Sequence, residues 1–147
     1  MIKGKLVGLR ALEIEDLVKL RDWRNIDDFR RNFREVKELN LENQTAWFSK
    51  LSSSPNDYMF GIVDLKTNEL IGACGLLYIN QIIKSADFSF YIGKDEVYVD
   101  DPEGKSYEAA KLLMQYGFER LNLNKIWMEL YEFCLLYTSD AADDSLR

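Results

Sequence analysis

The sequence predicts an α/β fold, a single domain in which strands and helices alternate around one core. Three observations carry that expectation. The hydrophobic period switches along the chain between the two-residue alternation of strands and the 3.6-residue repeat of helices. Of the 147 residues, 47% are hydrophobic and 13% aromatic, which is enough for one core and marks no linker. A glycine-containing turn leads straight into the longest helical repeat.

Each element follows in order. "KLVGLRAL" reads as a first strand. "IEDLVKLRDWRN" places Leu17, Leu20 and Trp23 on one helical face, so a helix is predicted from about Ile14 to Arg24. "LNLENQTAWFSKL" repeats the helical spacing through Leu41, Ala46, Trp47 and Leu51, with Asn40 placed to cap it. The period then falls to two: "YMFGIVDL", a turn at "KTNE" and "LIGACGLLYI" form a hairpin, its second strand apolar enough for the sheet centre. "SADFSFYIG" alternates as the next strand. A loop through "KDEVYVDDPEGK" leads into "SYEAAKLLMQYGFERL", where Ala109, Leu112, Leu113, Tyr116 and Leu121 make an apolar stripe on a long helix. "KIWMELYEF" is the last strand signal, and no internal repeat or low-complexity segment precedes it.

Composition excludes several function classes. A formal charge of −6 argues against a general nucleic-acid binder, and the basic residues of "RNIDDFRRNFR" are interleaved with acids. No apolar run approaches the roughly 20 residues of a membrane span, and "MIKGKLVGLR" lacks the apolar centre of a signal peptide, so a cytoplasmic protein with no membrane partner is expected. Cys74 and Cys134 form neither a metal-ligand spacing nor a disulfide framework, which suits a reducing compartment. The absence of histidine removes the commonest general base and most zinc sites. Chemistry here falls to carboxylates, tyrosines, backbone amides or water, and no metal is expected.

The stretch "DDPEGKSYEAA" sets Gly104 and Ser106 at the start of a helix, where outward N–H groups and the positive end of the helix dipole favour a phosphate. A plain strand-to-helix turn would look the same.

With these elements in this order, three stretches resemble the GNAT N-acetyltransferase superfamily. "ADFSFYIG", Ala86 to Gly93, is similar to its A-E-x-x-x-x-I-G strand. "DPEGKS", Asp101 to Ser106, is similar to its Q/R-x-x-G-x-G/A loop, and runs without a gap into "YEAAKLLMQYGFERLNLNKIWMEL", similar to its long helix and next strand. The ribosomal-protein alanine and spermidine N-acetyltransferases are the members most resembled. "LRALEIEDLVKLRDWRN" and "QTAWFSKL" are similar to a subgroup acting on amino-sugar nucleotides or other small amines, and the resemblance covers residues 5 to 133.

The resemblance implies a GNAT-type mixed, mainly antiparallel central sheet flanked by helices, with acetyl-CoA as co-substrate. The acceptor would be a primary amine of an amino sugar, a polyamine or a protein N-terminus, and a homodimer is allowed. Backbone groups of Phe90, Tyr91 and Ile92 would hydrogen-bond the pantetheine arm. Asp101, Gly104, Lys105, Ser106 and Tyr107 would hold the pyrophosphate, Gly104 nearest and Lys105 adding positive charge. Asp87 stands where relatives place a glutamate that takes the amine's proton, directly or through water. A solvated strand-start aspartate is the other reading of Asp87. Asp101 stands for the usual Gln or Arg and Ser106 for Gly or Ala, and the acidic loop before them is awkward beside a pyrophosphate. Trp47 and Phe48 suit an acceptor pocket or the core, and Arg24 and Asn25 suit an acceptor site or a helix C-terminus. A module that holds CoA without turnover is the alternative from another class.

"CLLYTSDAAD", Cys134 to Asp143, resembles a translation of the adaptor used in transposase-based sequencing libraries. The expected organisation is therefore an incomplete GNAT domain over 1–133 and a non-native tail over 134–147. In the family a helix carrying a tyrosine general acid and two more strands follow this point. Tyr137 is not taken as the substitute for that tyrosine, and the chain by itself is expected to be inactive.

Overall fold

The computed structural model describes residues 1–26, 38–96 and 103–128, with Glu96 in its backbone only. The expectations for Asp101, for the strand beyond Met128 and for the segment 134–147 lie outside the described residues. Six strands form one sheet in sequential order: β1 Ile2–Lys3, β2 Val7–Ala11, β3 Tyr58–Asp64, β4 Glu69–Asn80, β5 Ser85–Ile92 and β6 Lys125–Trp127. Every neighbouring pair is antiparallel except β5 and β6, which run parallel, so the sheet is mixed and mainly antiparallel. Two helices, α1 Leu17–Arg24 and α2 Leu41–Ser53, pack on one face, and α3 Lys105–Gln115 packs on the other.

The two faces have separate cores. Val7, Leu9, Ile62, Cys74, Leu76 and Ile126 meet Ala109, Leu113 and Met114 of α3. Leu12, Val63, Leu70, Ala73 and Tyr91 meet Leu17 and Leu20 of α1. A bulge keeps the central hairpin consistent with both. Ile62 pairs with Gly72 but Val63 with Leu70, so Ile71 is the extra residue. That insertion reverses the alternation. Leu70 and Ala73 therefore share the α1–α2 face although three positions apart, while Ile71 and Cys74 share the other.

Local chemistry explains the helix starts. Before α1, a single 3-10 turn Ile14–Asp16 is held by the Asp16 carboxylate, which accepts from the Glu13 amide at 2.8 Å and from both Arg10 guanidinium nitrogens at 2.8 and 3.0 Å. At α2, Asn40 Oδ1 accepts from the Asn43 amide at 2.8 Å and Asn43 Oδ1 from the Asn40 amide at 3.1 Å, a reciprocal cap that satisfies two orphan donors. The predicted cap is thus present, but the predicted stripe is corrected. Leu41 and Ala46 are exposed, and the inward face is Gln44, Trp47, Phe48 and Leu51. The i, i+3, i+4, i+7 spacing is kept with a buried glutamine in it, a position that a search for apolar residues passes over.

α3 follows an N-cap at Gly104 and continues past Gln115 as a single π turn, Tyr116–Arg120. Its first turn stands at the β2–β3 end of the sheet, where Glu108 Oε1 accepts from the Leu6 and Val7 amides at 2.7 and 2.9 Å. Its last turn reaches the opposite end, where a Cβ on Gly117 would come within 2.8 Å of Leu76. Only glycine lets the helix sit that close. Tyr116 closes this end with edge-on contacts to Phe60 and Tyr58, ring centroids 5.3 and 6.1 Å away.

Candidate functional site

The site is built on β5. Gly93 N donates to Ile71 O at 2.8 Å, and Ile92 lies opposite Gly72. Antiparallel pairing alternates, so Tyr91 and Ser89 turn their backbone groups toward β4 while Phe88, Phe90 and Ile92 turn theirs the other way. On that other side β6 pairs with β5 only at Ser85, Ala86 and Asp87 among the described residues. Of the three predicted pantetheine-binding positions, Phe90 and Ile92 present amides to this edge, and the Tyr91 amide belongs to the β4 ladder.

The side chains divide between the faces. Phe88 and Phe90 lie on the α3 side, stacked with centroids 5.8 Å apart and planes 9° from parallel. Tyr91 is buried on the α1–α2 side with its ring edge-on to Trp23 at 6.5 Å. Burial pushes its phenol well above the ordinary range, against a smaller opposing effect of Arg24, so it is protonated at neutral pH. Asp87 shares the Tyr91 face by alternation. It is 4% exposed, which removes the reading of a solvated strand-start aspartate. It sits opposite Leu77 of β4 and Trp127 of β6, the last position of the β5–β6 pairing among the described residues.

The α3 N-terminus stands against the Asp64 end of β3, the same end of the sheet at which β5 finishes at Ile92. Gly104 has φ +82°, a left-handed conformation that L side chains rarely adopt, and a Cβ there would meet nothing within 4 Å. Glycine is thus favoured here by backbone conformation, and the space above it is open. The amides of Lys105, Ser106 and Tyr107 follow as the first turn of the helix. Ser106 is half-buried and Tyr107 is exposed.

Lys105 is engaged by two protein carboxylates. Its ammonium donates to Asp64 Oδ2 at 3.0 Å and lies 2.8 Å from Glu103 Oε2. The hydrogen bonds from Lys105 to Glu103 and Asp64 raise the Lys105 pKa, outweighing its burial. Burial pushes the Asp64 carboxyl up, but the hydrogen bonds from Lys105 and the Lys66 amide hold it below the usual carboxylate range. The charge of Lys105 is therefore met by protein carboxylates.

Trp47 and Phe48 pack against the α1–α2 core, and Leu51 and Trp23 join them there. Asn25 ends α1 in a right-handed conformation and uses its side chain to bridge to α2: Oδ1 accepts from the Leu39 amide at 2.7 Å and Nδ2 donates to the Leu39 carbonyl at 2.6 Å. Arg21, Asp22, Asn25 and Glu38 line a polar cleft between the end of α1 and the start of α2. Among the described residues no three potential metal ligands cluster, and no helix is long and apolar enough to cross a membrane.

An extended edge with outward amides, with a helix N-terminus at the same end of the sheet, suits an elongated ligand with an amide arm and a phosphate group. Known proteins share the framework. Residues 7–132 match the acetyltransferase (GNAT) domain family. The uncharacterized N-acetyltransferase p20 of Bacillus licheniformis is 27% identical over 114 residues, 78% of this chain and 55% of that protein. The chain thus spans little more than half the length of this relative. The probable N-acetyltransferase YjcK of Bacillus subtilis (strain 168) is 28% identical over 134 residues, 86% of this chain and 72% of that protein. The crystal structure of spermidine N-acetyltransferase from Vibrio cholerae in complex with CoA and spermine superposes with a TM-score of 0.84 at 22% identity, covering 97% of this chain and 80% of that one. At that identity the likeness establishes the fold, and with the domain match running through both halves of the β5–α3 unit, the chain belongs to the GNAT acetyltransferase domain family.

Proposed function

We propose that this chain is the acetyl-CoA-binding part of an N-acetyltransferase acting on a primary amine. The observation that carries the reading is the Phe88–Ile92 edge, free of β6 among the described residues, with the open left-handed turn at Gly104 at the same end of the sheet as Ile92. Acetyl-CoA supplies an activated acyl group as a thioester. Phe90 and Ile92 hold its pantetheine arm through backbone groups, as a strand would. Gly104 and the first-turn amides of α3, with Asp101 before them, receive the pyrophosphate. Asp87 then stands at the far end of the bound arm and takes the proton as the amine nitrogen bonds to the acyl carbon. A β5 amide stabilises the oxyanion before the carbon–sulfur bond breaks and the thiolate leaves.

Polyamines are the first acceptors to test, because the neighbour solved with CoA and spermine shares this fold. Amino sugars and peptide N-termini follow. Another neighbour is a dodecamer, so self-association is to be measured alongside. The test combines calorimetric titration with CoA and a thiol-release assay on spermidine, glucosamine 6-phosphate and a short peptide, using this chain and a version extended at its C-terminus. Micromolar CoA binding with amine-dependent thiol release in the extended form is expected. No CoA binding by either form overturns the proposal.

A further inference from the structure

The turn between β3 and β4 gathers ammonium groups from three elements. Asp64 Oδ2 accepts from Lys105 Nζ at 3.0 Å, Glu69 Oε2 accepts from Lys94 Nζ at 2.8 Å, and Glu69 Oε1 lies 3.8 Å from Lys19 Nζ. Lys94 and Lys105 stand near the two ends of the segment that joins β5 to α3. The turn therefore grips that segment at both ends. The two grips are unequal in burial: the Lys94 and Glu69 side chains are 37% and 39% exposed, while the Asp64 side chain is 9% exposed. Exposed pairs contribute little, whereas removing one partner of a buried pair leaves an uncompensated charge and is costly. Asp64 is also fixed independently of Lys105, since its Oδ1 accepts from the Lys66 amide at 2.9 Å and its carbonyl from the Asn68 amide at 2.7 Å.

By charge alone, a carboxylate beside an anion-binding helix N-terminus opposes the anion. We infer that Asp64 is a positioning residue for the cofactor segment: it anchors Lys105, and with it the first turn of α3, to the end of β3. This inference rests on the CoA-binding reading above. Lys105 then serves as a tether, and the anion is held by backbone amides whose direction the tether sets.

Two roles for Lys105 give opposite signs. If Lys105 contacts the pyrophosphate and Asp64 merely competes for it, Asp64→Asn removes one of the lysine's two carboxylate partners, leaving Glu103, and tightens CoA binding. If Lys105 is a tether, Asp64→Asn weakens CoA binding by about tenfold, the size of a hydrogen bond to a charged group. Lys105→Met then weakens it similarly, and the double variant is no worse than the weaker single one. Pantetheine, which lacks the pyrophosphate, separates positioning from general damage: its competition against CoA should be unchanged in the variants once corrected for CoA affinity. Calorimetry on the full chain reads all of these. Unchanged or tighter CoA binding in Asp64→Asn overturns the inference, as does an equal loss for pantetheine. Should Asp64→Asn not fold, the salt dependence of CoA binding by Lys105→Met decides: a tether leaves the slope of the unsubstituted chain, and a smaller slope means direct phosphate contact and overturns the inference. Failure of the unsubstituted chain to bind CoA is a separate outcome that overturns the functional reading itself.

Discussion

Asp87 combines burial with a position at the end of the described β5–β6 pairing, and the proposed function makes it the proton acceptor for the bound amine. Its replacement by asparagine keeps the shape and removes the basicity. In an active, C-terminally extended form, Asp87→Asn should lower turnover on the order of a hundredfold with CoA affinity nearly retained. A rate within about twofold of the parent would assign the proton to solvent or another group. At Gly104 two costs coincide. The φ of +82° strains any L residue, by about 1–2 kcal/mol, and a side chain would fill the open space above the turn. Gly104→Val should therefore weaken CoA binding by about 1–3 kcal/mol in calorimetry. Equal affinity would remove this turn from the site. Both residues are visible in the sequence as types. The burial of one and the conformation of the other come from the fold.

At the scale of elements, α2 shows how local chemistry and packing divide the work. Its start is written in "NLEN", where Asn40 and Asn43 cap each other. Asn40→Ala should cost about 1 kcal/mol in urea denaturation, typical for loss of an N-cap. Its inward face was harder to read, because buried Gln44 replaces the apolar residue that periodicity looks for. α3 is the opposite case. Ala109 and Leu113 are wholly buried where the stripe predicts, and Leu113→Ala should cost about 2–5 kcal/mol as a cavity in the α3-side core. The π turn after Gln115 has no signature in the sequence apart from Gly117, whose contact partners Leu76, Leu123 and Ile126 come from β4 and β6 or the approach to it.

Over the whole molecule, ion pairs set a pH window. Asp16 is pushed up by burial but held down by Arg10 and the Glu13 amide, Asp64 is held down by Lys105, and Glu69 is held down by the hydrogen bond from Lys94. Depressed carboxylates stabilise the fold above their unfolded pKa of about 4, and that contribution is lost as the pH falls through the lower folded values. Lys94 and Lys105 are raised, so their contribution is complete below about pH 10.4 and is lost as the pH rises through the folded values. Melting temperature should therefore be flat near neutrality and fall below about pH 4, and a melting point that rises on acidification would contradict these pairings. The proposal that residues 134–147 derive from an adaptor makes a further prediction at this scale. Deleting them should change stability by less than about 0.5 kcal/mol, as for surface changes generally. A larger loss, or strong hydrogen-exchange protection over 141–146, would make them native structure.

The sequence by itself determined the order of elements from β2 onward, though not the short β1, together with the Asn40 cap, the α3 stripe and the β3–β4 hairpin, because these depend on period, capping chemistry and neighbours a few residues apart. It also marked Asp87 and Gly104 through their resemblance to family motifs. Other features depended on which distant residues meet. The bulge at Ile71 lets one strand serve two cores, and β5 meets β6 over only three described positions. Lys105 is the clearest instance: in sequence it is a cation beside a phosphate-type turn, while in the fold Asp64, 41 positions away, accepts its hydrogen bond. A charge is written in one residue, but its field is set by every group the chain brings within a few ångströms of it, and only tertiary structure decides which groups those are.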